Sequence, residues 1–184
     1  MVHTPLYHLT SINSATEMIN RQQLFMMPVV DGIVYTKEQL APRKIPETYV
    51  FSTSRTMTSD FLVDFAEPGQ VILVLNRDRF CHNFKVRPVV NPQALEEMGK
   101  GFNDMEEYIY SARNIAKLDG PLNQYIDSVR FVNMLHPNIY CQANQYSRAK
   151  FSPYDMRELL RVCAIANIPT NGFDSTEAMR SRII

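Results

Sequence analysis

The sequence carries no excess of charge: 19 basic residues meet 19 acidic ones, for a formal net charge of zero. A protein that holds a nucleic-acid backbone avidly and nonspecifically carries a basic surplus, so that class of scaffold is disfavoured. A local basic patch and a nucleic-acid substrate remain open. Cysteine is scarce too. Cys81, Cys141 and Cys163 are odd in number and widely spaced, which argues against a disulfide framework and for a reducing compartment. No apolar run approaches the length of a membrane span, and MVHTPLYHLTS lacks the basic-then-apolar order of a signal peptide. A cytoplasmic location with no membrane partner is the expectation.

Six glycines leave little scope for a Gly-rich phosphate loop, and neither GxxxxGK[ST] nor GxGxxG occurs. HExxH, paired CxxC and GxSxG are also missing, and Cys81-His82 has no further ligand at metal spacing. No metal site is expected. What is present is an ordinary globular balance, 45% hydrophobic and 21% charged over 184 residues, enough chain to bury a core.

Residues 5–10 read as a strand. Ser14 and Glu17 have capping-box spacing, which predicts a helix from about Ser14 to Gln23. Asp31-Gly32 marks a turn, and residues 36–47 read as an exposed loop. Strands are expected at Tyr49–Phe51, Val71–Asn76, Met105–Tyr110 and Tyr125–Phe131. Val71–Asn76, VILVLN, is apolar and β-branched enough to be buried on both faces. Asn76, Arg77, Asp78 and Arg79 read as an exposed turn. Short helices or loops are expected at residues 58–65 and 91–101. Ser152-Pro153-x-Asp155 opens a helix with Met156, Leu159, Leu160, Val162 and Cys163 as its apolar stripe. The tail from Gly172 is expected to be partly disordered. Many short strands and few helices, without regular alternation, point to an α+β fold.

Three short segments stand out chemically. Leu6-Tyr7-His8-Leu9-Thr10-Ser11 places His8 and Thr10 on one strand face. The run "YVFSTSR" ends an apolar strand at Tyr49–Phe51 with Ser52, Thr53, Ser54 and Arg55. Asp104-Met105-Glu106-Glu107-Tyr108-Ile109-Tyr110 sends an acidic pair into a strand, with Glu107 and Ile109 on one face and Glu106 and Tyr108 on the other.

In that order, a His-x-Thr strand leading into a helix, a Ser-Thr-Ser strand and a late Glu heading an apolar strand, the chain resembles the ADP-ribosyltransferase superfamily. The opening YHLTSINSATEMINRQQL is most similar to the DNA-modifying ADP-ribosyltransferase toxins and to small bacteriophage-encoded proteins. The resemblance spans about residues 5–131. It implies a split β-sheet core with a short N-terminal helix over residues 1–135, and a C-terminal helical extension of the same domain over 136–184. It also implies an NAD-dependent transfer to a macromolecule, a nucleic acid or a protein, in a phage–host or toxin setting. NAD is then the small-molecule substrate. Glu107 takes the catalytic carboxylate position, and Arg55 pairs with the pyrophosphate. His8 bonds the adenosine-side ribose, Thr10 shapes that wall, and Tyr49 stacks on nicotinamide. One of Ser52 and Ser54, taken to lie on alternate faces, faces NAD. Met105 stands where family members often carry a second carboxylate or Gln. Read as residue types alone, the acidic pair is also a solvated face and the Ser-Thr-Ser run a hydrated strand end. The alternative function is therefore a non-catalytic nucleotide- or protein-binding module with a degenerate fold of this kind.

Overall fold

A computed structural model describes residues 5–55, 70–88, 106–132 and 153–173. Strand β1 (Pro5–Ser11) runs into helix α1 (Ile12–Arg21). Ser11, not Ser14, is the cap: its side chain accepts from the Ser14 N–H, so the helix starts earlier than the capping-box spacing predicts. The helix ends at Gln22, whose left-handed backbone returns its N–H to the last turn. Then come β2 (Gln23–Phe25), β3 (Met27–Val30) and β4 (Ile33–Val34). The expected turn between β3 and β4 falls on Asp31 and Gly32, with φ of 51° and 75°. Residues 36–47 follow as largely exposed turns.

Strand β5 (Thr48–Ser54) extends the expected one by Thr48 at its start and by Ser52, Thr53 and Ser54 at its end, and β6 (Gln70–Asn76) is buried on both faces as its composition requires. Asn76 ends β6 and caps α2 (Arg77–Asn83), so the expected exposed turn at 76–79 is a helix start. Next come β7 (Lys85–Pro88), β8 (Glu106–Ser111), β9 (Ile115–Lys117) and β10 (Ile126–Val132). Helix α3 (Pro153–Ile165) precedes β11 (Thr170–Phe173). The end of β11 corrects the start of the expected disordered tail: Gly172 and Phe173 are in a strand parallel to β10. The expectations for residues 58–65 and 91–101, and for Met105, lie outside the described residues.

The main sheet is mixed in its connections and α+β in class, and it is built from two halves. In one half β1 pairs β6 along its whole length, β6 pairs β10, and β11 adds to β10. In the other half β5 pairs β8 over Tyr49–Ser54, and β8 pairs β7. Among the described residues the halves meet through a single β1–β5 pair, Tyr7 opposite Ser54. The same β5 edge is taken by β3 as far as Val50. Between Val50 and Ser54 the sheet is split.

The core lies on the face shared by Leu6, Leu73, Leu75, Phe51, Ile109, Val129 and Phe131, roofed by α1 and α3. Met156, Leu159, Val162 and Cys163 of α3 are buried in it, and burial pushes the Cys163 thiol up to about 12. Among the described residues no helix is long and apolar enough to cross a membrane. Leu73 is fully buried at the middle of β6, so Leu73→Ala leaves a cavity in both the β1 and β10 contacts. It should lower unfolding free energy by ~2–5 kcal/mol, read from urea denaturation; a loss below ~1 kcal/mol would contradict this placement of the core.

Candidate functional site

Two of the expected site residues, His8 and Glu107, lie at the split, on either side of Thr53. Thr53 and Glu107 are direct cross-strand partners on β5 and β8, and the Thr53 hydroxyl donates to the Glu107 carbonyl at 2.8 Å. Directly opposed residues share a face, so Glu107 stands on the core side with Phe51, Thr53 and Ile109. Its carboxylate is 2% exposed. A charge so buried needs a partner. It finds one in Arg77, the first residue of α2: Nε donates to Oε2 at 2.8 Å and a terminal nitrogen to Oε1 at 3.1 Å. This is the planar fork that a guanidinium makes with a carboxylate. The hydrogen bond to Glu107 is the main reason that the Arg77 pKa is raised above its ordinary value.

The start of α2 is fixed by several groups. Asn76 Oδ1 accepts from the Arg79 N–H at 3.1 Å, and the Asn76 N–H donates to the Tyr125 carbonyl at 2.8 Å. The Asn83 amide donates to the Tyr125 hydroxyl and to Asp119, and the Tyr125 hydroxyl bonds Asp119 as well. Arg79 lies over the Tyr125 ring, 5.0 Å from its centre. Burial, foremost, and the hydrogen bond to Asp119 raise the Tyr125 pKa. The loop before β10 therefore pins the helix that carries Arg77.

On the other edge of β5, His8 sits in the split. Its Nδ1 lies 2.6 Å from the Ser52 carbonyl, and its ring stacks on Phe51 with centroids 3.8 Å apart. A carbonyl oxygen only accepts, so Nδ1 carries the proton and Nε2 keeps its lone pair. Burial pushes the His8 pKa down to about 4, outweighing the opposing effect of the Ser52 hydrogen bond. The imidazole is therefore neutral near pH 7, a donor to the backbone on one side and an acceptor on the other.

The other expected residues are placed differently. Ser52 and Ser54 are two apart on one strand and so share a face, opposite to Thr53; the expectation that they alternate is corrected by strand geometry. Ser52 is exposed and Ser54 buried. Thr10 shares the His8 face but lies further along β1, opposite Val71. Arg55 is exposed at the end of its described segment. Tyr49 shares the Thr53 face, about 13 Å along the strand from it, with the buried Phe51 between them. It lines a cavity of about 620 Å³ together with Phe84 and Ser111, away from Glu107. Sequence reasoning missed Arg77 and Thr53. The signals were there: an Asn cap with Asp78 in the first turn after a buried strand, and the parity of Thr53 with the apolar Phe51.

No protein-family model and no curated protein matches the sequence. Among solved structures the chain is similar to Thermus sp. 2.9 DarT in complex with carba-NAD+, with TM-score 0.47 and 9% identity over 92% of this chain and 95% of that one. It is similar to the same protein in complex with ADP-ribosylated ssDNA, with TM-score 0.45 and 9% identity over 92% and 94%. For the NAD+ complex the values are 0.45 and 8% over 93% and 96%. At these scores and identities the likeness assigns no role to any residue of this chain.

Two outcomes follow from the geometry. Arg77→Ala strands a buried carboxylate and should cost ~3–5 kcal/mol at pH 7, while Arg77→Met with Glu107→Leu should recover most of that loss. Equal stability of the single and double variants in urea would sink the ion-pair account. His8 binds a proton more readily unfolded than folded, so its contribution to stability is whole above pH ~6.5 and is lost as pH falls toward 4. His8→Asn keeps a donor for the Ser52 carbonyl without titrating. It should show a smaller fall in urea midpoint between pH 7 and pH 5 than wild type; equal falls would refute the assignment.

Proposed function

We propose that this chain is an NAD-dependent transferase that cleaves the nicotinamide–ribose bond and passes ADP-ribose to a macromolecular acceptor, a nucleic acid or a protein. The observation that carries the reading is the convergence, through strand pairing, of His8, Phe51–Thr53 and Glu107 on the split between the sheet halves. They lie on the His-x-Thr strand, the Ser-Thr-Ser strand and the late Glu on which the sequence resembles ADP-ribosyltransferases, with Thr53 rather than Ser52 or Ser54 on the inner face.

The chemistry asks for a fixed anion. As the bond from ribose C1′ to the pyridinium nitrogen breaks, its electron pair returns to nicotinamide, which leaves neutral. Positive charge builds on the ribose, as in glycoside hydrolysis. A carboxylate held beneath the ribose stabilises that charge without reorganising. The acceptor then bonds C1′ and gives up its proton. Glu107 is the carboxylate in this reading. An ionised carboxylate has about four lone-pair sites, and Arg77 occupies two of Glu107's, which leaves acceptors for a ribose hydroxyl. Arg77, 31% exposed, is the half of the pair that solvent reaches, and it takes over the role of phosphate partner that the resemblance gives to Arg55. His8 Nε2 accepts from a ribose hydroxyl. Thr53, rather than Ser52 or Ser54, braces the Glu107 backbone. Thr10 shapes the wall beyond His8.

A second reading rests on the same ion pair. With both oxygens of Glu107 held by Arg77 and its carboxylate 2% exposed, the site also suits a module that binds a nucleotide without turning it over.

Incubation with NAD labelled in the adenylate half, in the presence of lysate protein and of single-stranded DNA, separates the two. The transferase reading expects label on one acceptor and release of nicotinamide. Glu107→Gln should reduce both by at least ~100-fold while NAD still raises the melting temperature. A melting shift with no nicotinamide released by wild type favours the binding module. Equal turnover by wild type and Glu107→Gln would remove Glu107 from the chemistry.

A further inference from the structure

The cavity beside Tyr49 belongs to no part of the Glu107 site, and its walls are chemically one-sided. One wall is the small antiparallel pair of β2 and β9. Leu24 and Ala116 face the core from it, so their neighbours Gln23, Ile115 and Lys117 turn the other way, with Gln23 opposite Lys117. The other wall is Tyr49 and Phe84, aromatic rings packed partly against the core. The connection from Ser111 to Ile115 closes one end. It is held in place where the Asn114 carbonyl accepts from the Met26 N–H at 2.9 Å, and where the Arg113 N–H donates to the Ser111 hydroxyl at 3.1 Å.

The lining holds two cations, Arg113 and Lys117, and no acidic residue, in a chain whose overall charge is zero. Neither cation has an ion-pair partner among the described residues. Both are exposed, and an anion seated in the hollow is attracted by the two together. Two aromatic rings, a Gln amide and a Ser hydroxyl add flat apolar surface and hydrogen-bonding groups. The volume, about 620 Å³, falls in the range of small-ligand sites and exceeds what an inorganic ion fills.

We propose that this cavity is a second binding site, for a nucleoside monophosphate: the base against Tyr49 and Phe84, the phosphate between Arg113 and Lys117. The site is independent of whether Glu107 turns NAD over, because Phe51 and Ile109, both buried, stand between the two. The same chemistry occurs in a free mononucleotide and in the adenylate half of a dinucleotide.

Calorimetric titration of the full chain with AMP, adenosine, inorganic phosphate and NAD tests this. AMP should bind at least ~10-fold tighter than adenosine or phosphate alone, because both halves of the cavity are engaged. The exposed double variant Arg113→Glu, Lys117→Glu should weaken AMP by at least ~10-fold and keep the wild-type urea midpoint. Phe84→Leu should weaken AMP and adenosine alike. Glu107→Gln should leave AMP affinity unchanged, which separates this site from the catalytic proposal. If NAD is weakened by the same charge reversal, the occupant is half of a dinucleotide; if not, it is the free mononucleotide. Absence of AMP binding at millimolar concentration, or AMP affinity untouched by the charge reversal, would overturn the proposal, as would loss of AMP binding in a folded Glu107→Gln protein.

Discussion

The Arg77–Glu107 ion pair ties together two half-sheets that the backbone scarcely joins. Arg77 follows β6, in the half built on β1, β6 and β10; Glu107 sits on β8, in the half built on β5, β8 and β7. Among the described residues one residue pair, Tyr7 with Ser54, bridges the halves through β1 and β5. A carboxylate 2% exposed is tolerable only with its charge matched and its oxygens hydrogen-bonded. Burying Glu107 therefore commits Arg77 to one place. The Asn76 cap and the Tyr125–Asp119–Asn83 cluster hold the helix start from which it reaches.

His8 is the second polar tie across the same gap. Ser52 lies between the reach of β3 and that of β1, so its carbonyl has no strand to meet, and the imidazole supplies the missing donor. Both ties are made of side chains that carry chemistry. In the transferase reading this economy has a consequence: a ligand entering the split competes with the contacts that hold it, so binding and the geometry between the halves are linked. The cavity beside Tyr49 is outside that linkage, since buried Phe51 and Ile109 insulate it.

The strands were legible where hydrophobicity alternates or runs unbroken. VILVLN read as a strand buried on both faces, and the face shared by Glu107 and Ile109 followed from alternation. Asp31-Gly32 read directly as a turn because two consecutive positive φ angles demand such residues. The start of α2 was misread although its local signals were ordinary. A polar NRDR run looks the same whether it caps a helix or lies in solvent, and the distinction comes from the Tyr125 carbonyl, 49 positions on, that binds the Asn76 N–H. The resemblance turned Ser52 or Ser54 toward NAD, while parity with Phe51 places Thr53 inside.

The sequence by itself determined the α+β class, the shared strand face of Glu107 and Ile109 and the helix α3, because each depends on periodicity within a few residues. Which cation neutralises Glu107, which carbonyl His8 serves and where Tyr49 ends up were decided only by tertiary structure. Those depend on strand register between segments far apart in the chain, and register is set by the joint burial of whole strands rather than by any residue's neighbours.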